Sequence, residues 1–314
     1  MSQFIVRRLG FVLLSMLMAS IIIFAATQVI PGDIASVILG QFATPEAKAN
    51  LRAELGLNRP LVVQYLDWLW SFIQGDWGQS TSMHVPVREI VMSRLYNTLI
   101  LAAVGFMMFV PLGILLGLIS AIRRNSWVDH SISISSLVFV GLPEFVTGII
   151  LIYIFALQLG WLPAQSSVDY SGGILPMVPM LVLPGITVSL VSLAYIARMT
   201  RSSTVEVLQA DYVRTAYLKG LSPSRVIRVH VLRNSLQPTV AAIALCIGWL
   251  VSGLIVTESV FGYPGLGRLL LFGASHRDIP LLQAVSMIVV VVVGVVNLLA
   301  DVIYAWLNPR ITYK

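Results

Sequence analysis

The chain has 314 residues, of which 57% are hydrophobic and only 11% are charged, and its formal net charge is +6. Soluble globular domains carry about a quarter charged residues, so this composition, with a mean hydropathy of +0.88, excludes the ordinary soluble class. The positive charge lies beside apolar stretches, which gives it a topological explanation rather than a nucleic-acid partner. The composition predicts a polytopic membrane protein.

Long runs without charge predict the membrane-spanning helices, because a charged side chain at mid-bilayer costs about 2.5 to 3.5 kcal/mol on insertion scales. Each run exceeds the roughly 20 residues that a helix needs to cross the hydrocarbon. The runs lie between Arg8 and Asp33, Arg94 and Arg123, Glu144 and Asp169, Asp169 and Arg198, Arg233 and Glu258, and Asp278 and Asp301. The predicted fold is all-α, with six transmembrane helices.

The third span is predicted to begin near Ser131, because residues 132–140 are already apolar. That start places Glu144 inside the membrane, directly after Pro143. Proline lacks a backbone N–H and permits a kink, so the carboxylate can face a cavity. An intramembrane acid is a functional candidate by default. We therefore predict Glu144 as a pathway residue, with a structural role as the alternative.

Lysine and arginine predict the orientation, because they accumulate in cytoplasmic loops. They concentrate on one side of the six spans, at Arg7, Arg8, Arg123 and Arg124, within residues 198–235, and at Arg310 and Lys314. That side is predicted to be cytoplasmic and to hold both termini. Residues 1–30 then form the first transmembrane helix, residues 31–95 an external (periplasmic) segment, and residues 96–314 a five-helix core that includes the cytoplasmic loop 198–235.

The external segment predicts two helices. Pro31-Gly-Asp33 ends the first span, and Thr44 is a suitable N-cap for a helix that has Pro45 at its first position. Residues 62–73 carry aromatic and aliphatic side chains at helical spacing and are followed by Gly75. This second helix is predicted to pack on the membrane surface or against a partner, and the segment to shield the bundle rather than to contact substrate.

The cytoplasmic loop 198–235 holds seven basic and two acidic side chains between two apolar stretches. Val205, Leu208, Tyr212 and Ala216 fall on one stripe at helical spacing, which predicts a helix along the cytoplasmic surface. Because this helix also has apolar side chains on its far side, it is expected to need protein contact on two faces. A basic amphipathic helix on anionic lipid is the alternative.

The same loop contains a predicted helix end and a predicted helix start. Lys219 falls in the last turn of the first helix, and Gly220 is placed to end it in the left-handed conformation. Ser222 is a suitable N-cap for a second helix whose first residue is Pro223. The loop therefore predicts helix, glycine turn, helix.

A turn-rich external stretch, residues 257–268, follows the fifth span. Its three closely spaced glycines and one proline predict a sharply folded re-entrant or surface element. Non-helical backbone at membrane depth needs protein or water around it. The stretch fits the wall or gate of a pathway, with Glu258 as a second candidate pathway residue, or a structural hairpin.

Patterns for catalysis and for cofactor binding are absent from the sequence. No lysine completes the Gly-Lys-Ser/Thr end of a phosphate-binding loop, so the chain is not expected to be an ATPase by that route. The four histidines are scattered, and the single cysteine, Cys246, excludes an intrachain disulfide or a cysteine cluster. We predict no enzyme activity, no cofactor and no metal in this chain.

A set of motifs runs along nearly the whole chain. Those in the cytoplasmic loop are Asp211-Tyr-Val-Arg-Thr-Ala216, Lys219-Gly-Leu-Ser222 and His230-Val-Leu-Arg-Asn234. Further blocks are Pro31-Gly-Asp33, Gln64-Tyr65, Gly75-Asp-Trp-Gly78, Glu258–Arg268 and Asn297–Asp301. In combination they resemble the ABC-transporter permeases of the dipeptide/oligopeptide/nickel importer group.

The resemblance implies the type I ABC importer permease fold, with a coupling helix that fits a groove on a cytoplasmic ATPase. The implied coupling residues are Ala210, Asp211, Tyr212, Arg214, Thr215, Ala216, Lys219, Gly220, Leu221 and Ser222. The general importer signature begins with Glu-Ala-Ala, and here that triplet falls on Arg214-Thr-Ala216, so its glutamate is replaced. The replacement is similar to what the peptide-type subgroup shows.

The resemblance also implies partners and a location. The expected complex contains a second, related permease as a heterodimer partner and two ATPase subunits that hold ATP and Mg²⁺. A periplasmic or lipid-anchored solute-binding protein delivers the substrate. The chain itself is expected to be a multi-pass protein of the bacterial inner membrane, in contact with lipid but not with nucleic acid.

Two classes of function remain open at this point. The first is a permease subunit of an ATP-driven importer, with di- or oligopeptides favoured over nickel chelates and other small solutes. The second is a stand-alone secondary transporter or channel, in which Glu144 or Asp301 carries protons. Energy dependence separates them, because the first needs ATPase subunits and the second needs an ion gradient.

Overall fold

The computed structural model describes residues 2–29, 44–54, 58–166 and 177–307. Within these ranges the secondary structure is helical apart from one isolated bridge between Gln79 and Pro86, which confirms the all-α prediction. The helices are α1 (Ser2–Val29), α2 (Pro45–Glu54), α3 (Leu61–Gln74), α4 (Val87–Ile122), α5 (Trp127–Gly141), α6 (Glu144–Gln158), α7 (Val178–Leu208), α8 (Asp211–Leu218), α9 (Pro223–Val260), α10 (Leu266–His276) and α11 (Ile279–Leu307).

Five helices of the described ranges are long and apolar enough to cross a bilayer, namely α1, α4, α7, α9 and α11. Helices α5 and α6 pass the same test only as a pair, and they are bent by 111° at the break between them. The predicted third span is this pair. The charge-free runs of the sequence therefore locate all six candidate spans, and one of them is broken rather than continuous.

The break between α5 and α6 follows from Pro143. The residue before a proline is pushed out of the helical region, and Leu142 is extended, with φ −85° and ψ 131°. Pro143 itself is extended, with φ −59° and ψ 138°. Helix α5 also begins earlier than Ser131, at Trp127, because the Ser126 hydroxyl accepts a hydrogen bond from the Asp129 N–H and caps it.

The described residues of the ranges 1–97 and 265–295 form one compact unit. Here α3 uses its aromatic face against α1: the rings of Phe24 and Tyr65 are 5.6 Å apart, and those of Phe24 and Trp68 are 5.8 Å apart. The Tyr65 hydroxyl also lies 2.8 Å from the Ser20 hydroxyl. The opposite face of α3 exposes Trp70. The stripe predicted to meet a membrane surface or a partner is thus occupied by the first span.

Buried Asp278 ties the loop after α3 to the start of α11. Its carboxylate accepts hydrogen bonds from the Ser80 hydroxyl at 2.5 Å and from the Ser82 N–H at 3.1 Å. The same carboxylate accepts the Leu281 N–H at 3.2 Å and so caps α11. This single carboxylate therefore accepts hydrogen bonds both from the loop and from the first turn of α11.

The helix boundaries predicted for the external segment agree with the structure where it describes them. The Thr44 hydroxyl accepts the Ala47 N–H at 3.3 Å, as an N-cap does. Helix α3 ends at Gln74, and Gly75 adopts the left-handed conformation with φ +85°. The predicted stop at Pro31-Gly-Asp33 and the basic C-terminus at Arg310 lie outside the described residues.

The described residues of the ranges 98–264 and 296–307 form the second compact unit. Helix α7 is the most buried of the candidate spans and packs mainly against α9, with further contacts to α5 and α6. The apolar core of this unit includes completely buried Leu101, Phe109, Ile196, Cys246 and Tyr263. Helix α7 is therefore the central helix of this unit.

Helices α4 and α7 approach each other closely at two glycines of α4. A Cβ placed on Gly117 would lie 2.5 Å from the carbonyl oxygen of Ala197 and 2.6 Å from the Cβ of Thr200. A Cβ on Gly113 would lie 2.9 Å from a methyl carbon of Ile196. Small residues four positions apart allow such backbone contact between membrane helices, so these glycines fix the spacing of the pair.

Helix α9 is not uniform along its length. It starts with an α-helical turn at Pro223–Arg225, widens into a π-helical stretch at Val226–Val231 and continues as a regular α-helix from Leu232 to Val260. Such π-helical stretches are uncommon and occur frequently at functional sites.

Candidate coupling surface and membrane cavity

Helix α8 ends at Gly220 in a Schellman motif. The Gly220 N–H donates to the Tyr217 carbonyl at 2.9 Å, and the Leu221 N–H donates to the Ala216 carbonyl at 3.4 Å. Gly220 has a φ of +78°, which glycine adopts without strain. The glycine turn predicted from the sequence is confirmed.

A small apolar core holds α8 against the beginning of α9. It consists of buried Val213 and Ala216 on α8 and buried Val226 and Val231 on α9. The Tyr212 hydroxyl adds a polar tie across the same pair of helices, because it accepts a hydrogen bond from the Asn234 side chain at 2.9 Å. Helix α8, the glycine turn and the start of α9 therefore form one packed hairpin.

The apolar stripe predicted for this loop is wrong in phase. The stripe assumed a continuous helix, whereas α7 ends at Leu208 and α8 begins at Asp211, with Ala210 extended at ψ 142°. Because the break resets the rotation of α8, Val213 takes the buried position that the stripe gave to Tyr212, which is 43% exposed. Burial of Ala216 is confirmed.

The start of α9 lies where the sequence predicts it, with Ser222 at the N-cap position and Pro223 as first residue. The Ser222 side chain makes no capping hydrogen bond. Its backbone carbonyl instead accepts the N–H groups of Arg225 and Val226, at 2.9 and 3.0 Å. Ser222 is exposed.

We define the docking surface as the exposed side chains of α8 and its turn, namely Asp211, Arg214, Thr215, Tyr217, Leu218 and Lys219. Leu218 is the most exposed of the apolar members, at 80%, and Tyr217 is 42% exposed. The ten predicted coupling residues lie in the same segment, where Ala216 faces the hairpin core and most of the others face outward. Docking of this surface on a partner protein stays a prediction.

Arg201, one of the seven basic residues of the loop, is not available for docking. Its guanidinium makes a two-pronged contact with Asp129, with Nε to Oδ1 at 2.6 Å and Nη2 to Oδ2 at 2.8 Å. Asp129 is only 2% exposed and also accepts hydrogen bonds from the Ser120 hydroxyl and the Asn125 N–H. This cluster joins the end of α4, the start of α5 and the second half of α7.

We expect Arg201→Gln to destabilise the protein by about 1 to 3 kcal/mol, because it leaves the buried Asp129 carboxylate without its compensating charge, while the Arg201 side chain itself is partly exposed. The measurement is thermal unfolding of the purified protein in detergent. Arg201→Lys keeps the charge but loses the planar guanidinium that contacts both carboxylate oxygens, so its loss of stability should be smaller. The double variant Asp129→Asn with Arg201→Gln should recover part of the loss, and a double variant less stable than Arg201→Gln alone would contradict this account.

A cavity of about 250 Å³ lies beside Glu144, walled by α6, α7 and α9. The Thr257 hydroxyl donates to the Glu144 carboxylate at 2.9 Å. A Cβ at Gly253 would lie 2.6 and 2.7 Å from the two carboxylate oxygens, so a side chain there would displace the carboxylate from its present position. Ser192 and Trp249 also line the cavity. Glu144 therefore faces a cavity, and its place in a transport pathway stays a prediction.

Glu258, the second predicted pathway acid, is completely buried. The Thr98 hydroxyl donates to its carboxylate at 2.6 Å, and its backbone carbonyl accepts the N–H of Tyr263 at 2.9 Å. These contacts hold the end of α9 and the turn after it close to α4. Glu258 thus holds neighbouring parts of this unit together, and its direct contact with a transport pathway stays a prediction.

Two family models match the chain and together cover nearly all of it. The model described as "Binding-protein-dependent transport system inner membrane component" matches residues 113–313. The model for the N-terminal part of such membrane components matches residues 1–102.

Curated relatives match over their full length. The chain is 38% identical over 313 residues to the probable peptide ABC transporter permease protein y4tP of Sinorhizobium fredii, with all of both chains covered. It is 36% identical over 338 residues to the dipeptide transport system permease protein DppB of Escherichia coli K12, again with all of both chains covered.

The fold is also similar to that of solved transporters. A chain of the MetNI methionine ABC transporter, in an inward-facing conformation, matches with a TM-score of 0.59 and 16% sequence identity. The match covers 71% of this chain and 98% of that chain. At this identity the likeness is one of fold.

Proposed function

Because the chain belongs to the family of binding-protein-dependent transport system inner membrane components, we propose that it imports peptides as one permease subunit of an ATP-driven ABC transporter. As a member of this family it is a multi-pass inner-membrane transport component that acts with ATPase and binding-protein components, and it is not an enzyme. The stand-alone transporter left open by the sequence is not favoured, because the family works in such assemblies. The observation that carries the peptide assignment is full-length similarity to permeases named for peptide transport.

The docking surface is proposed to insert into a groove on a cytoplasmic ATPase that holds ATP and Mg²⁺. The packed hairpin supports this role, since α8 shares its apolar core with the start of α9, and movement of α8 is therefore expected to be passed to α9. ATP-driven closure of two ATPase subunits would then be passed into the membrane part through α9. This mechanism needs a rigid element between the two sites, and the hairpin provides one.

The membrane part is proposed to form the pathway together with a second, related permease. Glu144 is the proposed pathway residue on this chain because its carboxylate lines the cavity between α6, α7 and α9. Glu258, which is buried near the end of α9, is proposed as a second residue of the same pathway. The segment from residue 31 to 95 is proposed to face the periplasm and the binding protein, and both termini and the loop 198–235 the cytoplasm.

Affinity purification of this chain from its native membrane, followed by mass spectrometry and an ATPase assay, tests the proposal. We expect a second six-span permease and two ATPases to co-purify, and ATP-dependent uptake of a tripeptide after reconstitution with the cognate binding protein. Recovery of the chain alone, with no ATP hydrolysis, would contradict the importer. Normal assembly and ATPase activity without peptide uptake would contradict the substrate class only.

A further inference from the structure

The cavity beside Glu144 has the chemistry of a site for a primary ammonium group. It offers one carboxylate, hydroxyl groups from Ser192 and Ser252, and the indole ring of Trp249. Within the lining that the structure describes, Glu144 is the only charged side chain. A carboxylate beside an aromatic ring is a recurring arrangement for organic cations, because both attract positive charge.

The carboxylate lies against α9. The Thr257 hydroxyl donates to one of its oxygens at 2.9 Å, and a Cβ on Gly253 would come within 2.6 and 2.7 Å of its two oxygens. The rings of Trp249 and Tyr195 make a T-shaped contact, with centroids 5.0 Å apart and planes inclined by 68°. A carboxylate and an aromatic side chain, both of which attract cations, therefore line one cavity.

From this geometry we infer that Glu144 and Trp249 bind a primary ammonium group of the transported substrate. The inference rests on the proposed function and deepens it, because it assigns the permease its own recognition of the substrate. A peptide supplies such a group from its N-terminus or from a lysine side chain. Either source uses the same two protein groups.

The test uses the complete transporter in proteoliposomes, with its ATPases and cognate binding protein. Three probes are compared: trialanine, N-acetyl-trialanine and N-acetyl-alanyl-lysyl-alanine. The readout is the ratio of trialanine uptake to N-acetyl-trialanine uptake. Because the binding protein selects equally for every permease variant, a change in this ratio belongs to the permease.

Glu144→Gln is expected to lower the uptake ratio about tenfold, the scale of one charge-assisted hydrogen bond, while complex assembly and ATPase stimulation persist. Gly253→Ala is a second variant that displaces the carboxylate without removing its charge, and it should lower the ratio too. Glu206→Gln is the matched control, since Glu206 is exposed near the end of α7, lies outside both the cavity lining and the docking surface, and should leave the ratio unchanged.

The possible outcomes separate the inference from the proposed function. No ATP-dependent trialanine uptake by the unaltered complex would reject the proposed function, and the inference with it. Uptake with the same ratio in Glu144→Gln would leave the function standing and overturn the inference. Loss of assembly in both Glu144→Gln and Glu144→Asp would show a structural carboxylate and would also overturn it. Preference for the lysine probe that is lost in Glu144→Gln would support the site and assign it to a lysine side chain.

Discussion

Gly117→Ala is expected to lower the stability of the protein by about 2 to 3 kcal/mol, the usual cost of overpacking a close-packed contact. The added Cβ would lie 2.5 Å from the carbonyl oxygen of Ala197. That oxygen belongs to the backbone and cannot rotate away, so α4 and α7 must separate. Since α7 is the most buried span, the separation should also reduce transport. Thermal unfolding in detergent and uptake in proteoliposomes measure the two effects.

Gly10→Ala is the matched control for this substitution. Gly10 also lies inside a helix, α1, but a Cβ there would meet nothing within 4 Å. Alanine is a better helix former than glycine by about 1 kcal/mol, so this variant should be as stable as the unaltered protein or slightly more stable. Equal losses for Gly10→Ala and Gly117→Ala would show that the close approach of α4 and α7 is not the cause.

Gly220→Val is expected to uncouple ATP hydrolysis from transport. A side chain in the left-handed region costs about 1 to 2 kcal/mol, so the native turn should lose about 5- to 30-fold in population. The connection between α8, which carries the docking surface, and α9 is then no longer rigid. Peptide uptake and the transport-linked stimulation of ATPase activity should fall together, while basal ATP hydrolysis continues. Normal uptake with normal stimulation would count against the hairpin as a lever.

Gly220→Asn separates backbone strain from lost space at the same position. Asparagine adopts the left-handed conformation more readily than other residues with a side chain, and nothing lies within 4 Å of a Cβ at this position. We therefore expect Gly220→Asn to keep most of the transport activity. If both variants fail equally, the side chain itself disturbs the ATPase contact and strain is not the reason.

Features controlled by local chemistry were the ones that the sequence could predict. Charge-free runs mark the spans because the bilayer excludes charge at every position of a helix. The turn at Gly220 and the cap at Thr44 depend only on residues a few positions away. The phase of α8 could not be predicted in the same way, because the extended backbone of Ala210, between α7 and α8, resets it.

Features that depend on the pairing of distant helices were missed. Asp129 and Arg201 are 72 positions apart, and in the sequence Arg201 is one more basic residue in a basic loop. The helices that bring them together decide that Arg201 pairs with a buried acid instead. Gly113 and Gly117 do carry a visible signal, since small residues four apart are typical of close helix contacts in membranes.

The cavity beside Glu144 shows the same limit. Gly253 and Thr257 lie one turn apart on α9, and neither residue type indicates by itself that it shapes a carboxylate site. Glu144 is 113 positions from Thr257. The break at Pro143, which the sequence does indicate, lets the acid begin a new helix and reach α9.

The π-helical stretch of α9 determines the azimuth at which the docking surface is presented. Completely buried side chains follow one another at Val226, Val231, Ser235 and Thr239, so the first interval is five residues and the later ones are four. An α-helix turns by about 100° per residue. If residues 226–231 were α-helical, Val226 and the α8 that packs on it would be rotated by about that angle around the axis of α9. Removal of one residue between 226 and 231 would let the stretch become α-helical without that rotation. The wide turn thus acts as a spacer that absorbs one residue of length and leaves the direction of the hairpin unchanged.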